Sequence, residues 1–126
     1  MATPTGPLRR QLWRHFRASA HLLRLMTAQA QLIPGSFYLL RRKCGKPSCR
    51  CAQGHLHATW VLTRSEAGQH KLYAVPPAQR ARVRQLAAAW KRSQKARAKL
   101  LKLQAQLVAL ADAIVQNQQV RWPPGP

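Results

Sequence analysis

One short segment of the sequence gathers the side chains best suited to bind a metal ion. The cysteines of the chain are Cys44, Cys49 and Cys51, and His55 and His57 follow them directly. Thiolates together with an imidazole are the ligands that Zn²⁺ takes in closed tetrahedral sites. Glycine and proline residues in the segment provide the tight turns that a chelating loop needs. We therefore predict a zinc site of the Cys₃His type.

The sequence leaves the fourth ligand between two histidines. His57 opens the next predicted strand and is therefore better anchored, but the spacing alone also permits His55. The predicted ligands are Cys44, Cys49, Cys51 and His57. Four protein ligands leave no open coordination position at which water could be activated, so the predicted ion is structural. The alternative is a set of free thiols beside surface histidines, because the cysteine spacing departs from the familiar Cys-x₂-Cys pairs.

The charge balance points to a polyanionic partner. The chain has 22 Lys and Arg residues against two acidic residues, Glu66 and Asp112, and its formal net charge is +20. So few carboxylates cannot neutralise the positive field through internal ion pairs. Nucleic acid is the commonest polyanion for a basic folded protein to bind, and the sequence does not distinguish DNA from RNA. We therefore expect a nucleic-acid-binding protein.

The sequence carries no pattern typical of a catalytic site. Glu66 lies in a predicted turn and Asp112 in a predicted helix, so no carboxylate pair is suggested for acid–base chemistry. No P-loop, nucleophile triad or glycine-rich dinucleotide motif is present. A reactive cysteine beside a histidine is the remaining catalytic alternative. We expect that the protein is not an enzyme.

The metal-binding segment lies between two helical regions. Residues 8–33 carry an apolar stripe at alternating three- and four-residue steps, which predicts an amphipathic helix ended by Pro34 and Gly35. The stripe consists of Leu12, Phe16, Ser19, Leu23, Met26, Ala30 and Ile33. Residues 78–120 contain neither proline nor glycine, which predicts one long helix or two helices joined by a bend.

Short β-like runs fill the middle of the chain. They cover residues 36–43, 58–63 and 69–75, with a predicted turn at 66–68. We predict an α+β fold with an N-terminal amphipathic helix, a small three-stranded antiparallel sheet with a zinc knuckle, and a long C-terminal helix. The predicted organisation is a flexible lead-in over residues 1–7, a single helix, zinc-ribbon-like sheet and helix domain over 8–120, and a flexible tail over 121–126.

Cations on the helices and around the knuckle are the predicted contacts to nucleic acid. The predicted residues are Arg10, Arg14, Arg17, Arg24, Arg41, Arg42, Lys46, Arg50, Arg84, Lys91, Lys95 and Lys102. An unpaired positive face costs self-repulsion that phosphates would relieve, although a solvated helix surface is the plain alternative. Trp60, Tyr73 and Tyr38 are candidates to stack on bases, although aromatic rings at strand positions more often lie in a core.

A leucine-rich stripe lies near the end of the second helical region. It consists of Leu100, Leu103, Leu107, Leu110 and Ile114, at the spacing of a helix pair. We expect the stripe to pack against the first helix, because a small domain needs that area for its core. The alternative function is an assembly adaptor, in which the stripe pairs with a second copy or with a helix of a partner protein.

The cysteine segment also resembles a known family. The run RKCGKPSCRC over residues 42–51, with Gly54, His57, Trp60 and a Val-Pro step before the long helix, is similar to small bacterial proteins of unknown function. Their Cys-Gly-Lys-Pro-x-Cys-x-Cys motif is often met near transposase genes. Their usual His-Gly-Pro-Tyr step is replaced here by a His-Ala-Thr-Trp step. The resemblance spans about residues 35–105, implies His57 as the fourth ligand and a mobile-element context, and supplies no activity.

The resemblance also implies a bacterial protein with a transposase-like protein as a partner. Two further features favour a cytoplasmic location, with association with the nucleoid if the ligand is DNA. No apolar run approaches the roughly 18 residues of a membrane span, and the residues after Met1 lack the apolar core of a signal peptide. The odd number of cysteines leaves one unpaired in any scheme of internal disulfides, which suits a reducing compartment.

Overall fold

The structure, a computed structural model, describes residues 4–126. Along the chain, one helix precedes and one helix follows a three-stranded antiparallel sheet, which confirms the predicted α+β fold class. The elements are α1 (Thr5–Thr27), β1 (Ser36–Arg42), β2 (His57–Glu66), β3 (Gln69–Ala74) and α2 (Arg80–Gln118). Two short 3₁₀ helices lie between them, at Arg50–Gln53 and Pro77–Gln79.

The described residues form two compact units. One contains the residues up to Ala28 together with Ser93–Pro126, and the other contains Gln29–Arg92. Helix α2 contributes its beginning to the second of these units and the rest to the first. The folding of residues 8–120 as one domain stays a prediction. Residues 1–3 of the predicted lead-in lie outside the described residues, and α1 already begins at Thr5.

The sheet is an antiparallel meander in the order β1-β2-β3. Ser36 pairs with Thr63 and Arg42 with His57, so both ends of β1 are fixed against β2. Strands β2 and β3 are joined by Ala67 and Gly68, whose φ angles are 51° and 79°. Two consecutive positive φ values are typical of a type I′ hairpin turn, which matches the twist of the strands. The three predicted strands and the predicted turn are confirmed.

The core of the sheet unit is built on the central strand. Leu62 in β2, Val75 and Ala87 are buried together, and Ile33 and Phe37 pack against them. The central strand β2 buries the consecutive residues Val61, Leu62 and Thr63, whose side chains alternate between the two faces of the sheet. At the other end of β1 and β2, the pairing of Arg42 with His57 holds the two ends of the cysteine loop together.

Helix α1 ends earlier than its sequence pattern predicts. The helix stops at Thr27, so Ala30 and Ile33 lie outside it. The backbone N–H of Ile33 donates to the carbonyl of Leu86 at 3.1 Å and is therefore unable to bond within α1. Residues just before Pro34 also disfavour helical dihedrals. Ile33 instead packs in the core of the sheet unit.

The apolar stripe predicted for α1 is partly wrong. Leu12, Ser19 and Met26 are buried or half-buried as predicted, but Phe16 and Leu23 are 54% and 49% exposed. The observed inner face includes His15 and Leu22 in their place. Two polar residues of the inner face, His15 and Ser19, bond within the helix. Ser19 Oγ donates to the carbonyl of His15 at 3.0 Å, and His15 Nδ1 lies 2.9 Å from the carbonyl of Gln11. Satisfied in this way, the polar groups can face inward.

Helix α2 is continuous over 39 residues, so the alternative of two helices joined by a bend is not observed. Pro77 lies at the start of the preceding 3₁₀ turn, where a missing N–H costs nothing. Along the leucine-rich stripe, Leu100 and Ile114 are only 8% and 5% exposed, and Leu103, Leu107 and Leu110 are half-buried. This burial within one chain favours intramolecular packing, and pairing with a partner through the stripe stays a prediction. Within residues 4–126, neither helix combines the length and apolar character that crossing a membrane demands.

Candidate metal centre

The predicted ligands lie on the loop that joins the first two strands. Cys44 follows the end of β1, and His57 is the first residue of β2, where it pairs with Arg42 across the sheet. Cys49 and Cys51 lie at the N-terminal end of the 3₁₀ helix Arg50–Gln53. The sheet therefore positions two ligands directly, and the loop has to bring back the other two.

Tight turns bring the loop ligands back to the sheet. The N–H of Cys49 donates to the carbonyl of Lys46 at 3.1 Å, which closes a turn that contains Pro47. Gly54 has a φ of 103°, a conformation that costs glycine little, and its N–H donates to the carbonyl of Cys51 at 3.3 Å. The 3₁₀ helix is thereby ended, and the chain turns back toward His57.

The four ligand atoms converge on one point. Cys44 Sγ lies 3.4 Å from Cys51 Sγ, and Cys49 Sγ lies 3.2 Å from His57 Nε2. All four atoms lie within 4.8 Å of one another. Ligands about 2.0–2.3 Å from a tetrahedral ion are separated from each other by about 3.3–3.8 Å. Cys44, Cys49, Cys51 and His57 could therefore hold one metal ion, whereas His55 is not part of the cluster.

The sulfur atoms differ in burial and in their hydrogen bonds. Cys51 is fully buried, Cys49 is half-buried and Cys44 is exposed. The N–H of Cys44 donates to Cys51 Sγ at 3.2 Å, the kind of bond that supports a thiolate. The loop therefore fixes one sulfur in the interior and presents another to solvent.

The loop backbone shifts the pKa values of the thiols. The pKa of Cys44 is lowered, chiefly by the N–H of Lys46 and then by the Cys51 side chain. The pKa of Cys49 is also lowered, chiefly by the N–H of Cys51. For Cys51, the N–H of Cys44 lowers the pKa, but burial and the two neighbouring sulfurs outweigh it, so the pKa is raised. Two of the three sulfurs are thus biased toward the thiolate, the form that binds metal.

Cations surround the cluster. Arg41, Arg42, Lys46 and Arg50, four of the predicted nucleic-acid contacts, are all exposed. An open depression beside the cluster is lined by Arg42, Lys43, Cys44, His57 and Thr59. Three thiolates and one divalent ion would carry an excess negative charge, which these cations would offset.

The other predicted nucleic-acid contacts are also exposed. They are Arg10, Arg14, Arg17 and Arg24 on α1, and Arg84, Lys91, Lys95 and Lys102 on α2. Together with the four cations around the cluster, they make twelve predicted contacts. None of the twelve forms an ion pair within residues 4–126, where the ion pair found joins Arg64 to Glu66. Arg84 is nevertheless held in place, because its guanidinium carbon lies 4.9 Å from the ring centre of Trp60 and 5.3 Å from that of Phe37.

The three aromatic residues considered for base stacking are placed differently. Trp60 stacks on Phe37 with ring centres 5.0 Å apart and also contacts Arg84, so its ring packs within the protein. The hydroxyl of Tyr73 donates to Glu66 at 2.9 Å. Tyr38 is 39% exposed.

The sequence reasoning did not consider Trp13, which at 55% is more exposed than Tyr38. The run RRQLWRHFR over residues 9–17 contains the signal, since the tryptophan is flanked by arginines. Phe16 was assigned to the inner stripe, and its exposure shows that the outer face of α1 also carries aromatic rings.

Comparison with known proteins identifies the family. The sequence profile of a domain of unknown function, DUF6788, matches residues 9–85, which is more than half of the chain. The chain belongs to the DUF6788 family. The matched DUF6788 region runs from α1 through the sheet into α2 and includes all four ligands of the candidate metal centre. Neither the curated proteins nor the solved structures gave a significant match. The predicted membership of an uncharacterised family is therefore confirmed, and DUF6788 brings no assigned activity.

Proposed function

We propose that the protein is a non-catalytic accessory protein that binds nucleic acid. One observation carries the proposal: the net charge of the chain is +20, the twelve predicted cations lie exposed, and within residues 4–126 a single ion pair is formed. A phosphate chain would supply the missing counter-charge, and the release of its condensed ions would drive binding.

The exposed cations fall on three surfaces that suit a phosphate backbone. The first is the arginine face of α1, the second is the rim of the metal centre, and the third is the lysine-rich face of α2. On α1, Arg10, Arg14 and Arg17 recur at steps of three or four residues, which places them on one side of the helix. Contacts to phosphates position a protein without reading the base sequence, so the proposed binding has weak sequence preference.

The proposed metal is Zn²⁺ in a structural role. Three cysteines and one histidine are a donor set that zinc accepts, and the four ligands fill its tetrahedral shell. The ion would cross-link the end of β1 to the start of β2 and fix the cation-rich loop between them. Its contribution to nucleic-acid binding is therefore indirect, through the position of Lys46 and Arg50.

The proposed setting is the bacterial cytoplasm, in association with a mobile genetic element. The setting is supported by the resemblance of the cysteine motif to proteins met near transposase genes, and a transposase-like protein is the corresponding partner. Free thiolates that bind metal are also maintained in a reducing compartment.

Salt-dependent binding tests the proposal. The purified metal-loaded protein is titrated with labelled DNA and RNA, single- and double-stranded, and fluorescence anisotropy is recorded between 50 and 200 mM salt. If about six phosphate contacts form, the affinity is expected to fall on the order of a thousandfold over this range. Absence of binding to DNA and RNA even at the lowest salt would contradict the proposal.

A matched pair of variants separates local contacts from net charge. Arg14→Gln with Arg17→Gln removes two cations from the proposed α1 surface, and Arg97→Gln with Lys99→Gln removes two exposed cations outside the predicted set. The first pair is expected to reduce the slope of log affinity against log salt by about one to two. The second pair is expected to change the slope less. Equal effects would show that total charge, and not the α1 surface, determines binding.

A further inference from the structure

The outer face of α1 carries two aromatic rings that the protein itself does not cover. Trp13 is 55% exposed and Phe16 is 54% exposed. Their rings meet edge to face, with centres 5.7 Å apart and planes at 84°. The contact limits the motion of the Trp13 ring without burying it. The two rings in contact form an exposed apolar patch, and such patches can mark binding sites.

Arginines enclose the Trp13 ring. An open depression on α1 is lined by Arg9, Arg10, Trp13, Arg14 and Arg17, and we call this area the Trp13 surface. At about 100° per residue, Arg9 and Arg17 project about 40° from Trp13 and Arg10 about 60° from it. The four arginines are exposed and make no ion pair within residues 4–126. Planar apolar area and unpaired cations therefore share one side of the helix.

This mixed surface fits one class of polyanion better than others. Single-stranded nucleic acid offers unpaired bases that stack on aromatic rings, and phosphates that pair with guanidinium groups on either side. A duplex keeps its bases stacked inside and offers the phosphates alone. A helix that lies on an anionic membrane separates its apolar face from its cationic face, whereas here the arginines surround the ring.

We infer that Trp13 is a stacking platform for an unpaired base, and that the protein therefore prefers single-stranded nucleic acid. The inference rests on the proposed nucleic-acid binding and names the class of nucleic acid. Arg9, Arg10, Arg14 and Arg17 hold the phosphates next to the stacked base. Phe16 supports the Trp13 ring through their edge-to-face contact.

The test uses the full-length protein with strands that differ in bases but not in charge. Labelled oligothymidine, an abasic strand of the same length and a duplex are compared by fluorescence anisotropy. The wild type is expected to bind oligothymidine more tightly than the abasic strand. Trp13→Leu keeps an apolar side chain but removes the ring, and it is expected to lose about 5- to 150-fold in affinity for oligothymidine. Its affinity for the abasic strand is expected to stay unchanged.

Two controls isolate the ring. Trp13→Phe keeps an aromatic face and should restore most of the affinity. Trp122→Leu removes a ring that is 85% exposed but lies outside the Trp13 surface, and it should bind like the wild type. Circular dichroism confirms that each variant folds, and the comparison of base-bearing with abasic strands in the wild type needs no variant.

The outcomes separate this inference from the proposed function. If the wild type binds neither DNA nor RNA, both fail. If it binds nucleic acid but Trp13→Leu binds oligothymidine equally well, or loses the same factor on the abasic strand, only the stacking role is overturned. A third outcome is that Trp13→Leu loses binding to anionic phospholipid vesicles but binds oligothymidine like the wild type. This outcome would assign the surface to a membrane and overturn the inference.

Discussion

The candidate metal centre is determined by a few residues with separate tasks. Cys51 provides a buried sulfur that accepts the N–H of Cys44, and His57 provides an imidazole fixed at the start of β2. Cys49 connects them through its turn, with Sγ 3.2 Å from His57 Nε2. Cys44 and His57 lie at the ends of strands, and Cys49 and Cys51 lie on one 3₁₀ turn. Losing any one of them reduces the number of candidate ligands to three.

The two neighbouring histidines should respond differently to substitution. His57→Ala removes a ligand from the cluster, and we expect loss of stoichiometric metal and of the stability that metal binding provides. His55→Ala is the matched control, because the same side chain is removed from a position outside the cluster. The metal content of the purified variants, measured by mass spectrometry, checks the prediction. Equal metal content in both variants would exclude His57 as a ligand.

Sequence reasoning performs unevenly at this scale. The grouping of the four candidate ligands was predictable, because residues of suitable chemistry lie close together in the sequence. Local turns are enough to bring their side chains together. The exposure of Phe16 was not predictable, because it depends on the rotation of α1. Leu12, Phe16, Leu22 and Leu23 allow more than one apolar face, and the contacts of the folded chain select which of them faces inward.

The elements depend on particular backbone conformations. Gly35 has a φ of 139°, and a Cβ built there would lie 2.6 Å from the carbonyl oxygen of Thr63. It precedes Ser36, the first residue of β1, which pairs with Thr63. A side chain at this position would meet both an unfavourable dihedral angle and the backbone of the central strand.

Gly35→Ala should therefore destabilise the sheet unit, by about 1–3 kcal/mol from the dihedral angle alone, with the clash adding to it. The control is Gly68→Asn in the β2–β3 turn, where a Cβ would meet nothing within 4 Å and asparagine tolerates the positive φ. Urea denaturation of both metal-loaded variants measures the free energy of unfolding. Similar stability of the two variants would show that the Thr63 carbonyl can shift to make room.

The β2–β3 hairpin contains a carboxylate whose pKa is lowered from its ordinary value of 4.5 by the hydroxyl of Tyr73 and the guanidinium of Arg64. A lowered pKa in the folded state means that the ionised group stabilises the fold above pH 4.5, and that this contribution disappears as the pH falls through the lower folded value. Glu66→Gln should be less stable than the wild type at neutral pH.

The stability difference between Glu66→Gln and the wild type should shrink toward zero in acid. Denaturation midpoints measured from neutral pH to below pH 4 check this, and acid-induced loss of metal affects both proteins alike. A difference that persists unchanged in acid would mean that the Glu66 carboxylate charge contributes nothing to the hairpin.

The elements themselves were largely predictable. Proline and glycine mark the ends of the strands, and Ala67 and Gly68 turn the hairpin where the sequence places a turn. The exception is the end of α1. The bond from Ile33 to the carbonyl of Leu86 joins residues far apart in the chain, and no local pattern reports it.

The whole molecule combines a unit that contains the candidate metal centre with a unit that contains none of its four candidate ligands. All four ligands lie within Gln29–Arg92, while α1 and the later part of α2 belong to the other unit. Leu100 and Ile114 are buried in the unit that contains α1 and the later part of α2. This unit therefore buries apolar side chains without any of the four candidate ligands.

Removal of the metal should affect the two units unequally. We expect a chelator to reduce the order of the sheet while much of the helical signal in far-ultraviolet circular dichroism remains. Amide hydrogen exchange measured with and without chelator locates the change, with faster exchange expected in β1 and β2. Uniformly faster exchange along α1 and the end of α2 would show that the chain unfolds as one cooperative domain.

The unequal exposure of the three cysteines predicts an order of covalent attack on the folded protein. Cys44 is reachable from solvent, whereas Cys51 is fully enclosed by its neighbours. Iodoacetamide should therefore label Cys44 first and Cys51 last, and peptide mass spectrometry at successive times would record the sequence. Under oxidative damage the thiol of Cys44 would be oxidised before that of Cys51. The loop would then still contain an intact thiol after it had lost the ability to bind the ion.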